Sequence, residues 1–219
     1  MPAMPRSLQP EIMDSADLPE ATRAAFHRDL WLVNTVLGYR GKITRLVRES
    51  GAVRRVLDIG CGDGALLDHL RRTVHVEVEG VELVAPLGAA YTVPIVIADA
   101  TRDALPSADV AISVLTLHHM TEDGIVQMIR NTGQACRRLI VLDLVRHRLP
   151  LVLFSLFIGP LLHHEAASDG RQSIRRAFTP AELSALVTRA LKGSGATWRH
   201  TVSPYRANQI VQIDYRRPT

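Results

Sequence analysis

Arg55-Val56-Leu57-Asp58-Ile59-Gly60-Cys61-Gly62-Asp63-Gly64-Ala65-Leu66 decides the fold of this chain. A short apolar run carries one acid, glycine then occupies alternate positions, and an apolar helical pattern resumes at Ala65. That order predicts a strand, a tight turn and a helix. Glycine lets such a turn bend sharply and lets a ligand reach main-chain atoms. The N-terminus of the following helix presents N–H groups and a positive dipole end, which favour a carboxylate or phosphate. Gly60, Gly62 and Ala65 also fit the G-x-G-x-x-A dinucleotide fingerprint, so the turn alone leaves the ligand open.

Outward from the turn, Val74 to Val81 predicts a second strand ending at Glu82, about twenty residues on, where an acid can accept hydrogen bonds from a ribose. A third strand, Ile95 to Ala98, ends at Asp99, and a fourth, Val110 to Leu115, runs into Leu117-His118-His119-Met120. Three acids and a histidine pair thus stand at four successive strand ends. Ligands of open α/β sheets bind just beyond those ends.

In these residues the chain resembles the class I S-adenosylmethionine (SAM) dependent methyltransferases. The resemblance is carried by D-I-G-C-G-D-G at 58–64, E-G-V-E at 79–82, A-D-A at 98–100 and L-H-H-M at 117–120, and covers about residues 53–144. It implies an α/β fold: a Rossmann-like, seven-stranded, mostly parallel sheet with helices on both faces and an antiparallel last strand. It also implies an N-terminal helical cap over residues 1–50. The core would then be 51–219, with an apolar insertion at about 147–176, all in one domain. SAM would be the cofactor. Asp58, Ile59, Gly60, Cys61, Gly62 and Gly64 would hold its amino-acid end, with Arg40 reaching the carboxylate. Glu82 and Leu83 would meet the ribose, Asp99 and Ala100 the adenine edge, and Val114 and Leu115 the floor beneath the sulfonium.

SAM brings the activated methyl group, so the protein's share is positioning, with the acceptor atom held about 3 Å from the methyl carbon. A hydroxyl acceptor also needs a base, because a phenol with pKa about 10 is mostly protonated at neutral pH. His118 and His119 are the candidates, since imidazole titrates near 6.5 and the pair follows a strand at the pocket mouth. Adjacent side chains point apart, so one of the two would act. His163 and His164 stand second. The His, Asp and Glu spacings give no ligand set with a metal-site count, so no metal is expected. Arg171-Gln172-Ser173-Ile174-Arg175-Arg176-Ala177-Phe178-Thr179-Pro180, with Asp143-Leu144-Val145-Arg146, resembles a bacterial subgroup that accompanies polyketide or quinone biosynthesis. That narrower resemblance implies O-methylation of a small, mostly apolar aromatic, with C- or N-methylation as the alternative. Asp143, Arg146 and His147 follow the fifth strand, where they could meet substrate or merely solvate the loop.

The remaining segments bound the answer. At 219 residues and 47% apolar the chain can bury one sizeable core, and 22% charged residues argue against disorder. The net charge of +4 is spread over scattered arginines, and aromatics are 5%, so a nucleic-acid stripe is not expected. Cys61 and Cys136 suggest no disulfide framework, and Cys61 is expected to pack rather than react. Met1–Pro10 lacks a signal-peptide pattern, which makes a cytoplasmic protein the default. Phe26, Leu30, Val33 and Leu37 recur at helical spacing, with Trp31 and Val36 beside that stripe, and Ile43, Leu46 and Val47 mark a second helix. Arg40 and Tyr39 fall in the connection between the two. Leu149–Leu162 is too short and too broken by Pro150, Gly159 and Pro160 to span a bilayer. It reads as a buried helix walling an apolar substrate pocket, with a homodimer contact or an interfacial membrane helix as the competing readings. Thr179-Pro180-Ala181-Glu182 is a capping box that starts a helix, and strand-like runs at 197–202 and 209–215 close the sheet. Two other classes stand beside the methyltransferase. A nicotinamide oxidoreductase is opposed by Asp58 and Asp99, whose charges would crowd a pyrophosphate. A non-catalytic SAM-binding protein is not favoured by an undamaged turn.

Overall fold

The computed structural model describes residues 4–14, 20–85 and 92–216. One seven-stranded sheet has the order β3-β2-β1-β4-β5-β7-β6. Strands β1 (Arg55–Ile59), β2 (Glu77–Glu82), β3 (Ile95–Ile97), β4 (Ala108–Val114) and β5 (Cys136–Leu144) are parallel. β6 (Thr197–Val202) joins through β7 (Asn208–Asp214), which is antiparallel to both β5 and β6. The helices are α1 (Glu20–Val36), α2 (Tyr39–Arg48), α3 (Ala65–Val74), α4 (Glu122–Ala135), α5 (Arg148–Leu153), α6 (His164–Arg176) and α7 (Pro180–Leu191). The chain runs outward from β1 through β2 to β3, then returns to place β4 on the other side of β1. That reversal opens a crevice beyond the ends of β1 and β4.

Alternation along the central strands produces two cores. Val56, Val110, Ile112, Ile140 and Leu142 pack with Ile43 and Val47 of α2 and Leu67 and Leu70 of α3. Their neighbours Leu57, Ala111, Leu139 and Val141 pack with Ile125 and Ile129 of α4 and Leu186 and Val187 of α7. Buried on both faces, these strands need continuous apolar runs, which is why they stand out in the sequence. α7 begins at the expected cap: Thr179 Oγ1 accepts from the Glu182 N–H at 3.3 Å, and the Glu182 carboxylate accepts from the Thr179 N–H at 2.8 Å.

Several expectations are corrected. Val74 belongs to α3, so the second strand starts at Glu77. Tyr39 and Arg40 open α2 instead of lying in the connection, because Gly38 makes the break with φ 68°. In α1 Phe26 is buried and Val33 half-buried, as the stripe requires, while Trp31 and Val36 are exposed. The Leu30 side chain lies outside the described residues. The apolar stretch is not a single buried helix. α5 passes into one π turn at Phe154–Ile158 and a 3₁₀ turn at Gly159–Leu161, and Leu149, Val152, Leu156, Phe157 and Leu161 are exposed. Among the described residues no helix is long and apolar enough to cross a membrane.

Candidate active site

A cavity of about 1560 Å³ opens beyond the carboxyl ends of β1, β2 and β4. A pocket for one drug-sized ligand is typically 300–1,000 Å³, so this space exceeds what one such molecule needs. The two ends of the cavity differ in chemistry.

The first end is the glycine turn. Gly60, Gly62 and Gly64 take φ of 76°, 56° and 79°, the left-handed region that side chains avoid. Asp58 projects from β1 beneath them, 2% exposed, and its Oδ1 has no hydrogen-bond partner. Burial, and after it the nearby Glu82 charge, push its carboxyl up to about 8. An unpaired buried carboxylate is costly, and a ligand cation would relieve that cost. Glu82 turns back onto the loop and accepts from the Gly62 N–H at 2.6 Å and the Leu83 N–H at 3.1 Å. The Gly62 N–H is therefore committed to Glu82. Cys61 packs its sulfur against Gly80, where a Cβ would lie 2.4 Å from Sγ, and burial raises its thiol pKa. Ile59, Leu83, Val114 and Leu115 line the cavity. Asp99 and Ala100 reach it too, but the Asp99 carboxylate also organises its own turn. The Thr101 hydroxyl and N–H donate to Oδ1 at 2.6 and 2.9 Å, which lowers its pKa, and Arg102 lies 3.2 Å from Oδ2. Arg40 lines the cavity from α2 with its guanidinium on His69 Nδ1 at 2.8 Å and 5.4 Å from the Trp31 ring centre.

The second end is built around the histidine pair on the turn Leu117–His119. His118 is 3% exposed. Its Nδ1 lies 2.7 Å from Asp143 Oδ1, and its backbone N–H donates to Asp143 Oδ2 at 3.2 Å. Burial alone would raise the Asp143 carboxyl, but the facing His118 outweighs it and holds the carboxyl below the ordinary range. Asp143 thus fixes the ring with Nε2 turned toward Glu11, 3.8 Å away. His119 is more exposed, with Nδ1 3.2 Å from Asp14 and Nε2 3.9 Å from Glu11. Glu11 is 8% exposed, accepts from the Ser173 hydroxyl at 2.9 Å, and is pushed by burial up to about 7. The same cavity is also lined by the apolar side chains Phe26, Leu153, Phe154, Phe157 and Ile174.

Three contributors were missed or misplaced by the sequence reading. Asp143 lies within β5, not past it, and faces His118; an acid inside the apolar run Leu139–Leu144 was the available signal. Glu11 stands in a segment without periodicity and gave none. Thr116 links the ends, its hydroxyl within 3.4 Å of the Ile59 and Gly60 carbonyls. Arg146 is buried on Met4, Ala177 and Glu182, and His147 caps α5, so neither faces the cavity. His163 ties α6 to Asp29 of α1 at 3.0 Å and stands outside the main cavity, as does His164.

Residues 36–136 match a family model described as a methyltransferase domain. No curated protein matches the chain in sequence. Among solved structures it is similar to the plantazolicin methyltransferase BamL, crystallised with a triazolic desmethylPZN analog and SAH, at 14% identity and TM-score 0.71 over 90% of this chain and 91% of that one. It is similar to the methyltransferase domain of bacterial CtHen1-CN at 16% identity and TM-score 0.59, over 80% of this chain and 97% of that one. A candidate O-methyltransferase from Nostoc punctiforme PCC 73102 gives 16% identity and TM-score 0.62, over 96% of this chain and 64% of that one.

Proposed function

We infer that this chain, which carries a methyltransferase domain on the class I fold, takes SAM as its donor and methylates a hydroxyl of a small, mostly apolar aromatic acceptor such as a phenol or quinol. The observation that carries this reading is the cavity itself, which joins an unpaired buried carboxylate at a glycine turn to an imidazole–carboxylate cluster and is also lined by apolar side chains. The residues fit the donor. Asp58 Oδ1, buried and without a partner, suits the ammonium of its amino-acid end, and Glu82 and Asp99 are the acids for its ribose hydroxyls and adenine amino group. Arg40 is the cation for its carboxylate. When bound, the donor supplies a methyl group on a positively charged sulfur and gives it to the acceptor's lone pair, the carbon–sulfur electrons staying on sulfur.

The chain's own task is placement and deprotonation. Phe26, Phe154 and Ile174 exclude water and hold an aromatic body, leaving its hydroxyl to the His118–His119 end. There His118 and Glu11 supply the electron pairs a phenolic proton needs before it can leave. A cytoplasmic setting suits two unpaired buried cysteines. Titration calorimetry with SAM, its demethylated product and NADH tests the donor, and a phenol and quinol panel followed by mass spectrometry tests the acceptor. Micromolar binding of SAM that Asp58→Ala or Glu82→Ala removes, with a methyl ether as product, is the expected result. Binding of NADH in place of SAM, or methylation at carbon or nitrogen alone, would overturn it.

A further inference from the structure

We propose that Glu11, His118 and His119 bind one divalent transition-metal ion, and that this ion activates the acceptor hydroxyl. The activating role rests on the O-methyl transfer proposed above; the binding site does not.

Among the described residues, these three alone bring histidine, cysteine or carboxylate ligand atoms together in a group of three, all within 4.8 Å of one another. Each imidazole is held in the same way. Nδ1 of His118 rests on Asp143 at 2.7 Å and Nδ1 of His119 on Asp14 at 3.2 Å, so both Nε2 atoms are left to face the Glu11 carboxylate. A carboxylate behind each ligating histidine is the usual support for a bound metal. The Nε2 atoms lie 3.8 and 3.9 Å from Glu11 Oε1 and Oε2, too far for hydrogen bonds. Two ligands each about 2.1 Å from one ion can be up to about 4.2 Å apart, so both gaps suit an ion between them. Glu11 Oε1 adds an independent sign: it is buried and has no hydrogen-bond partner.

Charge points the same way. Glu11, Asp14 and Asp143 surround the imidazoles, and Arg176 is the guanidinium that touches them, 3.8 Å from Glu11 and 2.7 Å from Asp14. Arg6 donates to the His118 carbonyl at 3.3 Å, and even so the acids outnumber the guanidiniums there, which favours a bound cation. Two imidazoles and one carboxylate favour zinc, manganese, iron or cobalt over magnesium or calcium, which prefer oxygen. Three protein ligands leave coordination positions open toward the cavity that Glu11, His118 and His119 line. A phenolic oxygen entering one of them would lose its proton to water at a lower pH, and the anionic oxygen is then the nucleophile. His118 in that state holds the ion through Nε2, and water takes the phenolic proton in place of the imidazole.

The test is titration of the full chain, free of any affinity tag, with Co²⁺ read by its visible ligand-field bands, and with Zn²⁺ and Mn²⁺ by competition. One equivalent should bind, with affinity weakened at least about tenfold by Glu11→Gln and by His119→Ala, and about 10–100-fold by Asp143→Asn. Calorimetric SAM binding retained by each variant shows that it is folded. No saturable binding of the three ions below millimolar concentration, or binding indifferent to Glu11→Gln and His119→Ala, would overturn the site. Undiminished phenol methylation by chelator-treated enzyme would remove the activating role and leave the O-methyl transfer standing. Ion binding without methylation of any hydroxylated acceptor would leave the site standing and sink the acceptor assignment.

Discussion

The two ends of the cavity are made in opposite ways. The donor end is contiguous: Asp58 through Gly64 supply a carboxylate and a turn within seven residues, and Glu82 closes on Gly62 from the adjacent strand. The acceptor end is gathered from afar. Glu11 precedes the first long helix, the imidazoles follow β4, and Asp143 comes from β5, 25 residues beyond His118. A contiguous site survives as long as its local backbone survives, whereas a gathered one depends on the packing of every element that brings it together. The donor end should therefore be robust and generic, and the acceptor end specific and easily lost.

Substitutions that separate the ends test this contrast. The largest effect is expected from His118→Ala, which should lower kcat by about 10²–10⁴ while calorimetry shows donor affinity unchanged. Loss of donor binding in that variant would break the contrast. Asp58→Asn should do the reverse, weakening SAM by about 10–100-fold, since a hydrogen bond to a charged group contributes about 1.5–3 kcal/mol. The same variant should melt at a higher temperature than the parent when no donor is present. The sign follows from the raised carboxyl, at about 8 in the fold against an ordinary value of 3.8. The folded state holds that proton more tightly, so Asp58 costs nothing below about pH 4 and progressively more as pH rises toward 8. The gap between parent and Asp58→Asn in thermal melts should open across that range and stay constant above it.

Gly170→Ala probes the apolar lining. Its Cβ would lie 2.2 Å from Phe154 Cζ, so the ring of this cavity-lining residue must shift or α6 must draw back. A rise of several-fold in the acceptor KM and about 1–3 kcal/mol of lost stability are expected, with donor titrations unaltered. The smallest effect belongs to Thr179→Ala, which removes one cap of α7 and should cost about 1 kcal/mol in denaturant unfolding without altering either ligand's affinity.

What was legible in the sequence follows the same division. Gly60–Gly64 announces itself because left-handed backbone needs glycine, and strands buried on both faces need unbroken apolar runs. Thr179 and Glu182 announce a helix start because a capping box is local. Glu11 is silent, since its partners come only with the docking of α6 and the histidine turn. Asp143 was visible as an acid in an apolar strand, but only the parallel pairing of β4 with β5 brings it to His118. The apolar stretch after β5 misled for another reason. Composition reports how much apolar surface there is and not which side is covered, so Leu156 and Phe157 read as buried and stand exposed.

One contact joins what the sequence keeps apart. A Cβ on Gly60 would meet the Thr116 side chain at 2.4 Å, and Thr116 sits between Leu115, at φ 56°, and the turn that carries His118. Leucine seldom takes that conformation, and the constraint leaves the hinge little slack. A side chain added at Gly60 would therefore press on the residue that precedes the histidine turn. The glycine turn and the histidine turn thus share one neighbour, and the two ends of the cavity meet at a single threonine.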